Sequence, residues 1–262
     1  MRVARALLAL ASIATTGHAQ AQDAFSISTG ISFASGRFTA PRRTSIVEAP
    51  ISLRYSTGPF RFTATLPYVY IDSVGTVLVG TGPPVALSPG DPAARRRARD
   101  GFGDLQLGAS YDLPDTLTGK WLVELSGQVK TPTASRARGL GTGEPDEAVS
   151  INASRAFGPI VPFVDVGYRF IGSPAGFDLR NSVSTSVGAT YTLGKSFVTV
   201  SYDYNSAVTR FIPDAHEMFV GVSGPAIGRL TWTAFGTTGL SSGAPDYGLG
   251  MVFSYKVGRV SA

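Results

Sequence analysis

The chain has 262 residues, of which 43% are hydrophobic and 16% charged, with 31 glycines, no cysteine and a formal net charge of +5. Without cysteine there is no disulfide framework, so stability has to come from backbone pairing and burial. So mild a charge gives no argument for nucleic acid as a partner, and beyond the N-terminal leader no apolar stretch is long enough for a spanning helix.

The leader reads Met1-Arg-Val-Ala-Arg5, then an apolar run from Ala6 to Ala14, then Ala19-Gln20-Ala21. A basic start, a short apolar run and an A-x-A site predict a secretory signal peptide cut after Ala21. The run is well short of the ~20 residues a membrane helix needs. No composition shift or linker divides 22–262, so it reads as one domain.

Past the leader no helical stretch is expected. The chain breaks into segments that alternate apolar and polar residues with period two, the mark of strands. The first runs Phe25–Phe33, with Phe25, Ile27, Ile31 and Phe33 on one face. Ile46–Tyr55 follows, and a tight Ser56-Thr-Gly-Pro59 turn leads to Phe60–Ile71, which carries Phe60, Phe62, Leu66, Tyr68 and Tyr70. A long Gly/Pro-rich segment precedes Phe102–Asp112 and Lys120–Lys130. Glu147–Phe157, Ile160–Ile171, Asn181–Leu193 and Phe197–Asn205 come next. His216–Ser223, Arg229–Phe235 and Asp246–Val257 complete twelve. The last is the clearest, with Tyr247, Leu249, Met251, Phe253, Tyr255 and Val257 on one side. Its Gly250-x-x-Phe253-x-Tyr255 spacing resembles the terminal signal read by the outer-membrane barrel assembly machinery, although seven residues follow Tyr255.

Long and short connections alternate along the chain. Strands of this length with aromatic ends, joined in that way, predict an all-β fold: an up-and-down antiparallel transmembrane β-barrel of about 12 strands in the outer membrane of a Gram-negative cell. A secreted β-sandwich would have shorter strands and no aromatic residues lined up near their ends.

Gly101-Phe-Gly-Asp-Leu-Gln-Leu-Gly-Ala-Ser-Tyr111, Lys130-Thr-Pro-Thr133, Gly139-Leu-Gly-Thr-Gly143, Gly158-Pro159 and Val166-Gly-Tyr-Arg-Phe170 together resemble an outer-membrane transporter family named from the meta-pathway of phenol degradation. The resemblance covers Gly101 to the C-terminus. It implies a barrel acting as a channel for small, hydrophobic or aromatic, solutes. It brings no catalytic residues and no cofactor.

The residues themselves give little support to catalysis. His216 is the one histidine beyond the leader. Residue 218 is Met, so the His/Ser pair of a barrel phospholipase is missing, and His216-Glu217 leads to no second histidine for a zinc-protease pattern. Gly139–Gly143 lacks both the spacing and the following helix of a phosphate loop. The polar strand faces instead predict lumen-lining charges: Glu48, Asp104, Glu124, Asp165 and Asp203 against Arg54, Arg61, Lys130, Arg169, Arg229 and Lys256, with Asp246 on the same face. Two readings stand, an ion-pair lattice that stiffens a closed structural or surface-interaction barrel, and a constriction that selects solutes. In the loops, Arg95, Arg96, Arg97 and Arg99 are the candidates for contact with lipopolysaccharide phosphates. Asp146 and Glu147 read as solvated loop charges.

Overall fold

The computed structural model describes residues 23–38, 42–74, 77–78, 85–86 and 97–259. The predicted signal peptide, Arg95 and Arg96 lie outside the described residues. Twelve strands form the barrel: β1 Ala24–Gly36, β2 Thr44–Thr57, β3 Phe60–Ser73, β4 in two pieces at Arg97–Phe102 and Gln106–Asp112, β5 Leu122–Lys130 and β6 Asp146–Ser154. They continue as β7 Ile160–Ile171, β8 Ser182–Leu193, β9 Ser196–Asn205, β10 Ala215–Pro225, β11 Leu230–Gly239 and β12 Tyr247–Arg259. Each strand pairs antiparallel with its sequence neighbour, and β12 pairs with β1 to close the sheet. Closure removes the free edges, so the backbone groups of the wall are satisfied within it.

The side chains are distributed inside out. Ile51, Leu107, Ile151, Val164, Val187, Val200, Leu249 and Met251 are exposed on the outer face. Exposed Phe60, Trp121, Tyr191 and Tyr255 lie near the ends joined by short turns, and Tyr68, Tyr70, Tyr168, Phe170, Tyr202 and Tyr247 near the ends joined by long loops. An apolar belt between two aromatic girdles is what a strand barrel presents to lipid. The long loops accordingly mark the extracellular end.

Besides a register shift at Phe25/Ser26 where β1 meets β12, the wall departs from regular pairing around two prolines. Pro50 of β2 and Pro67 of β3 stand opposite each other. Neither can donate a ladder hydrogen bond. On one side, the β1–β2 register skips Gly30 and Ile31. On the other, β4 breaks: Thr65 pairs with Gln106 and Tyr68 with Phe102, so three β4 residues oppose two of β3, and the Gly103 N–H bonds the Pro67 carbonyl at 2.8 Å. This bulge turns Asp104 into the lumen.

Three features differ from the sequence reading. The fourth strand begins at Arg97 rather than Phe102. Its first turns carry charges because they rise above the belt. The long loop contains a two-residue ladder, Val77–Leu78 against Val85–Ala86. The expectation of no helix fails for one turn, α1 Asp115–Thr118, where Pro114 starts the turn and Gly119 ends it at φ 66°.

Candidate functional site: a charged lumen with a latched mouth loop

Period two and the register decide which charges share the lumen. Near the periplasmic end, Arg61 of β3 donates to Glu124 of β5 and reaches Asp112 of β4 at 3.5 Å. Arg54 of β2 belongs to the same inward face, with Thr63 opposite it. Glu124 also accepts from Ser126 at 2.9 Å, and Ser126 meets Ser110 at 3.0 Å. Lys256 is inward by register but exposed, while Arg229 stands in the turn before β11 and points a guanidinium nitrogen at the Val257 carbonyl, 3.5 Å away.

At mid-depth Asp165 sits between Asn152 and Ser186, half-buried and inward. Asp203 accepts from Ser201 at 3.3 Å. Toward the mouth Glu48, Arg169 and Glu217 are buried. Phe235 and Phe163 also face inward, each ring laid over a glycine of the next strand. A methyl group on Gly250 would stand 2.0 Å from Phe235 Cζ, and one on Gly188 2.7 Å from Phe163 Cζ.

The most connected group is Lys130, which has no solvent exposure. Its ammonium lies 3.4 Å from Asp104 and 3.1 Å from Asp146, and donates to Thr142 at 3.2 Å. Burying an ammonium is tolerable only with partners of opposite charge and further hydrogen bonds. Both are supplied here. Asp104 accepts from the Ala134 N–H at 2.8 Å, and Asp146 accepts from the Gly172 N–H at 3.1 Å.

This hub draws loop 131–145 into the mouth. Thr131 and Thr133 bind the Leu105 backbone at 2.8 Å, so the bulge of β4 is fastened to the loop as well as to Lys130. Ala134 and Leu140 pack on inward Ile46, Val69 and Ile71 as an apolar cluster inside the barrel. Gly141 is needed for the fit, since a methyl group there would meet Asp104 Oδ2 and Ala134 Cβ at 2.9 Å. Arg99 adds another tie, donating to the Gly139 carbonyl at 3.1 Å and to Ser73 at 3.2 Å.

Several candidates therefore meet in two clusters, Arg61 with Glu124 and Lys130 with Asp104. Two placements need correction. Asp246, expected inward, lies just before β12 and pairs with Arg43 at 2.9 Å. Asp146, read as a solvated loop charge, is the first residue of β6 and is 2% exposed. Its signal is the outward alternation of Val149 and Ile151, which puts Ala148 and, one step further back, Asp146 on the inner face. Glu217, next to His216 in a sequence with no second zinc-site histidine, is set inward by its phase with Phe219 and is 3% exposed. His216 lies on the outer face, its Nδ1 2.5 Å from the Tyr202 hydroxyl. Among the described residues, no three His, Cys, Asp or Glu side chains lie together as metal ligands.

A closed barrel with a lipid-facing apolar belt, two aromatic girdles and a charged lumen defines a transmembrane β-barrel of the outer membrane. No protein-family model matches the chain, and no curated protein matches it in sequence. Among solved structures it is similar to the COG4313 outer membrane channel from Pseudomonas putida F1, with a TM-score of 0.66 at 11% identity over 92% of this chain and 97% of that one. It is also similar to the NanC porin, with a TM-score of 0.54 at 11% identity over 89% of this chain and all of the other. The CymD monoaromatic hydrocarbon channel aligns with a TM-score of 0.44 at 12% identity over 95% of this chain and 91% of that one, too loosely to carry an argument. At these identities the likeness establishes the fold, an outer-membrane barrel.

Proposed function

We propose that the chain is a passive outer-membrane channel for small solutes, that its solutes are small hydrophobic or aromatic compounds, and that it is not an enzyme. The observation that carries the reading is the charged face running down the lumen, from Arg169 and Glu48 near the mouth through Asp165 to Arg61 and Glu124. Polar linings are how pores are selective. The solute class draws support from the resemblance to the phenol meta-pathway family, three of whose motif segments, Gly101–Asp104, Lys130–Thr133 and Gly139–Gly143, meet at the mouth. The similar barrel from Pseudomonas putida is itself a channel.

The test uses vesicles with a lipopolysaccharide outer leaflet, which slows the spontaneous entry of apolar molecules. Vesicles carrying the folded barrel should take up a labelled monoaromatic compound faster than protein-free vesicles, to the same final level. Equal rates would remove the solute assignment. A second reading, a closed-lumen structural or surface-interaction barrel, is favoured by the full burial of Lys130 between its carboxylates.

Lipopolysaccharide is proposed as a partner of the extracellular rim. Arg97 is exposed on the part of β4 above the belt, close in sequence to Arg95 and Arg96, whereas Arg99 is engaged with loop 131–145. Arginine forks onto phosphate oxygens better than lysine does. Replacing Arg95, Arg96 and Arg97 with Gln should lower the lipopolysaccharide that co-purifies and leave the barrel folded. Unchanged co-purification would leave these arginines as solvated charges.

A further inference from the structure

We infer that the lumen holds a binding site for a single carboxylate group, built around Arg54 near the periplasmic end. The inference goes beyond the channel reading, because it needs only that small molecules reach the lumen, not that they cross it. Arg54 stands in β2, three residues before the strand ends at Thr57, on the inward face. It is half-buried, and among the described residues it makes no hydrogen bond and no ion pair. Its charged neighbours are Arg61 and Glu124. Those two are already bound to each other, and Glu124 also accepts from Ser126 at 2.9 Å. The charge of Arg54 is left without a counter-ion.

The residues in register with Arg54 give it a cradle rather than a partner. Ser26 of β1 stands opposite it on one side and Thr63 of β3 on the other. Cross-strand partners share a face, so both hydroxyls flank the guanidinium inside the barrel. Both residues are half-buried, and neither hydroxyl has a hydrogen-bond partner among the described residues. Other inward hydroxyls close by bond each other instead, Ser28 with Ser254 at 2.8 Å and Ser52 with Thr65 at 2.9 Å. Gly108 of β4 continues the row beyond Thr63. A methyl group there would meet nothing closer than the Gly127 carbonyl at 3.6 Å, so the lumen is open beside the cradle.

This arrangement fits a carboxylate in charge and in shape. A guanidinium presents parallel N–H donors that match the two oxygens of a carboxylate. The hydroxyls of Ser26 and Thr63 can donate to the lone pairs that the fork leaves. One uncompensated positive charge calls for one negative charge, which a carboxylate brings and a phosphate dianion exceeds. Partly buried charges are also screened less than exposed ones, so the attraction survives in salt. Lys256, opposite Ser26 on its other side and exposed, adds a cation that draws anions toward the cradle without occupying it.

The experiment uses the full barrel folded in nanodiscs of zwitterionic lipid and reads the fluorine line width of trifluoroacetate. The barrel should broaden the line saturably. Acetate should reverse the broadening, and acetamide, similar in shape but neutral, should not. Arg54→Gln should weaken binding by about tenfold or more. Arg54→Lys, which keeps the charge and loses the fork, should fall between Arg54→Gln and the wild type. Ser26→Ala with Thr63→Val should weaken binding about threefold, and serves if Arg54→Gln does not fold. No saturable broadening, or binding unchanged by Arg54→Gln or by the double variant, overturns the site. Competition by chloride or acetamide as strong as by acetate overturns the carboxylate assignment. Binding by a barrel that stays electrically silent in bilayers removes the channel reading and leaves the site, and conduction without binding does the reverse.

Discussion

Lys130→Met should destabilise the barrel by about 3–5 kcal/mol, because it leaves two buried carboxylates, Asp104 and Asp146, without their cation. Both side chains are 2% exposed and lie within 3.4 Å of the ammonium. Their repulsion is relieved most easily by moving the mobile partner, which is loop 131–145 rather than the wall. The loop should therefore leave the lumen, taking Leu140 off Val69 and Ile71. Urea unfolding in lipid vesicles should show the loss, and external protease should cut the loop. Adding Asp104→Asn and Asp146→Asn should recover most of the stability, since neutral amides tolerate the missing charge. If the single variant unfolded at the wild-type midpoint and its loop resisted protease, the ammonium would not be the latch.

Replacing both Phe253 and Tyr255 with Ala should block assembly, with the chain accumulating unfolded in the periplasm. These residues sit in β12, which closes the barrel: Phe253 stands between Trp232 and Thr29, and Tyr255 between Leu230 and Ile27. They also occupy the aromatic places of the sequence by which the barrel assembly machinery is proposed to recognise the chain. Burial at the bilayer surface and cross-strand packing are lost together, at roughly 0.5–1.5 kcal/mol for each aromatic pair beyond the area term. The periplasmic fraction checks it. Normal insertion of the double variant, with failure on deleting residues 258–262, would move the closing signal to the end of the chain.

These two cases also show what could be read from the sequence. Closing strand β12 was legible because alternation over Tyr247, Leu249, Met251, Phe253 and Tyr255 is a local property that lipid enforces on every strand. The same rule placed Arg61, Glu124, Lys130 and Asp165 inward. Partners were not legible, since Lys130 meets Asp104 and Asp146 only through barrel register. Asp146 was lost because a polar residue at a strand's first position looks like loop. The bulge at Asp104 was hidden for another reason. It follows from Pro67 on the neighbouring strand, not from the β4 sequence. Gly101–Asp104, Lys130–Thr133 and Gly139–Gly143 were recognisable as motifs, but their convergence on one latch needed the fold. Arg97 and Arg99 read as loop because strand above the belt has no apolar face to reveal it.

The central claim is a charge-lined path through the lumen, and planar bilayers test it most directly. Purified folded barrel should conduct ions in discrete steps. Arg61→Ala should shift selectivity toward cations, and Asp165→Ala toward anions, because each removes one sign of charge from the lining. Electrically silent bilayers, with folded protein verified in the membrane, would contradict the path and leave the closed barrel.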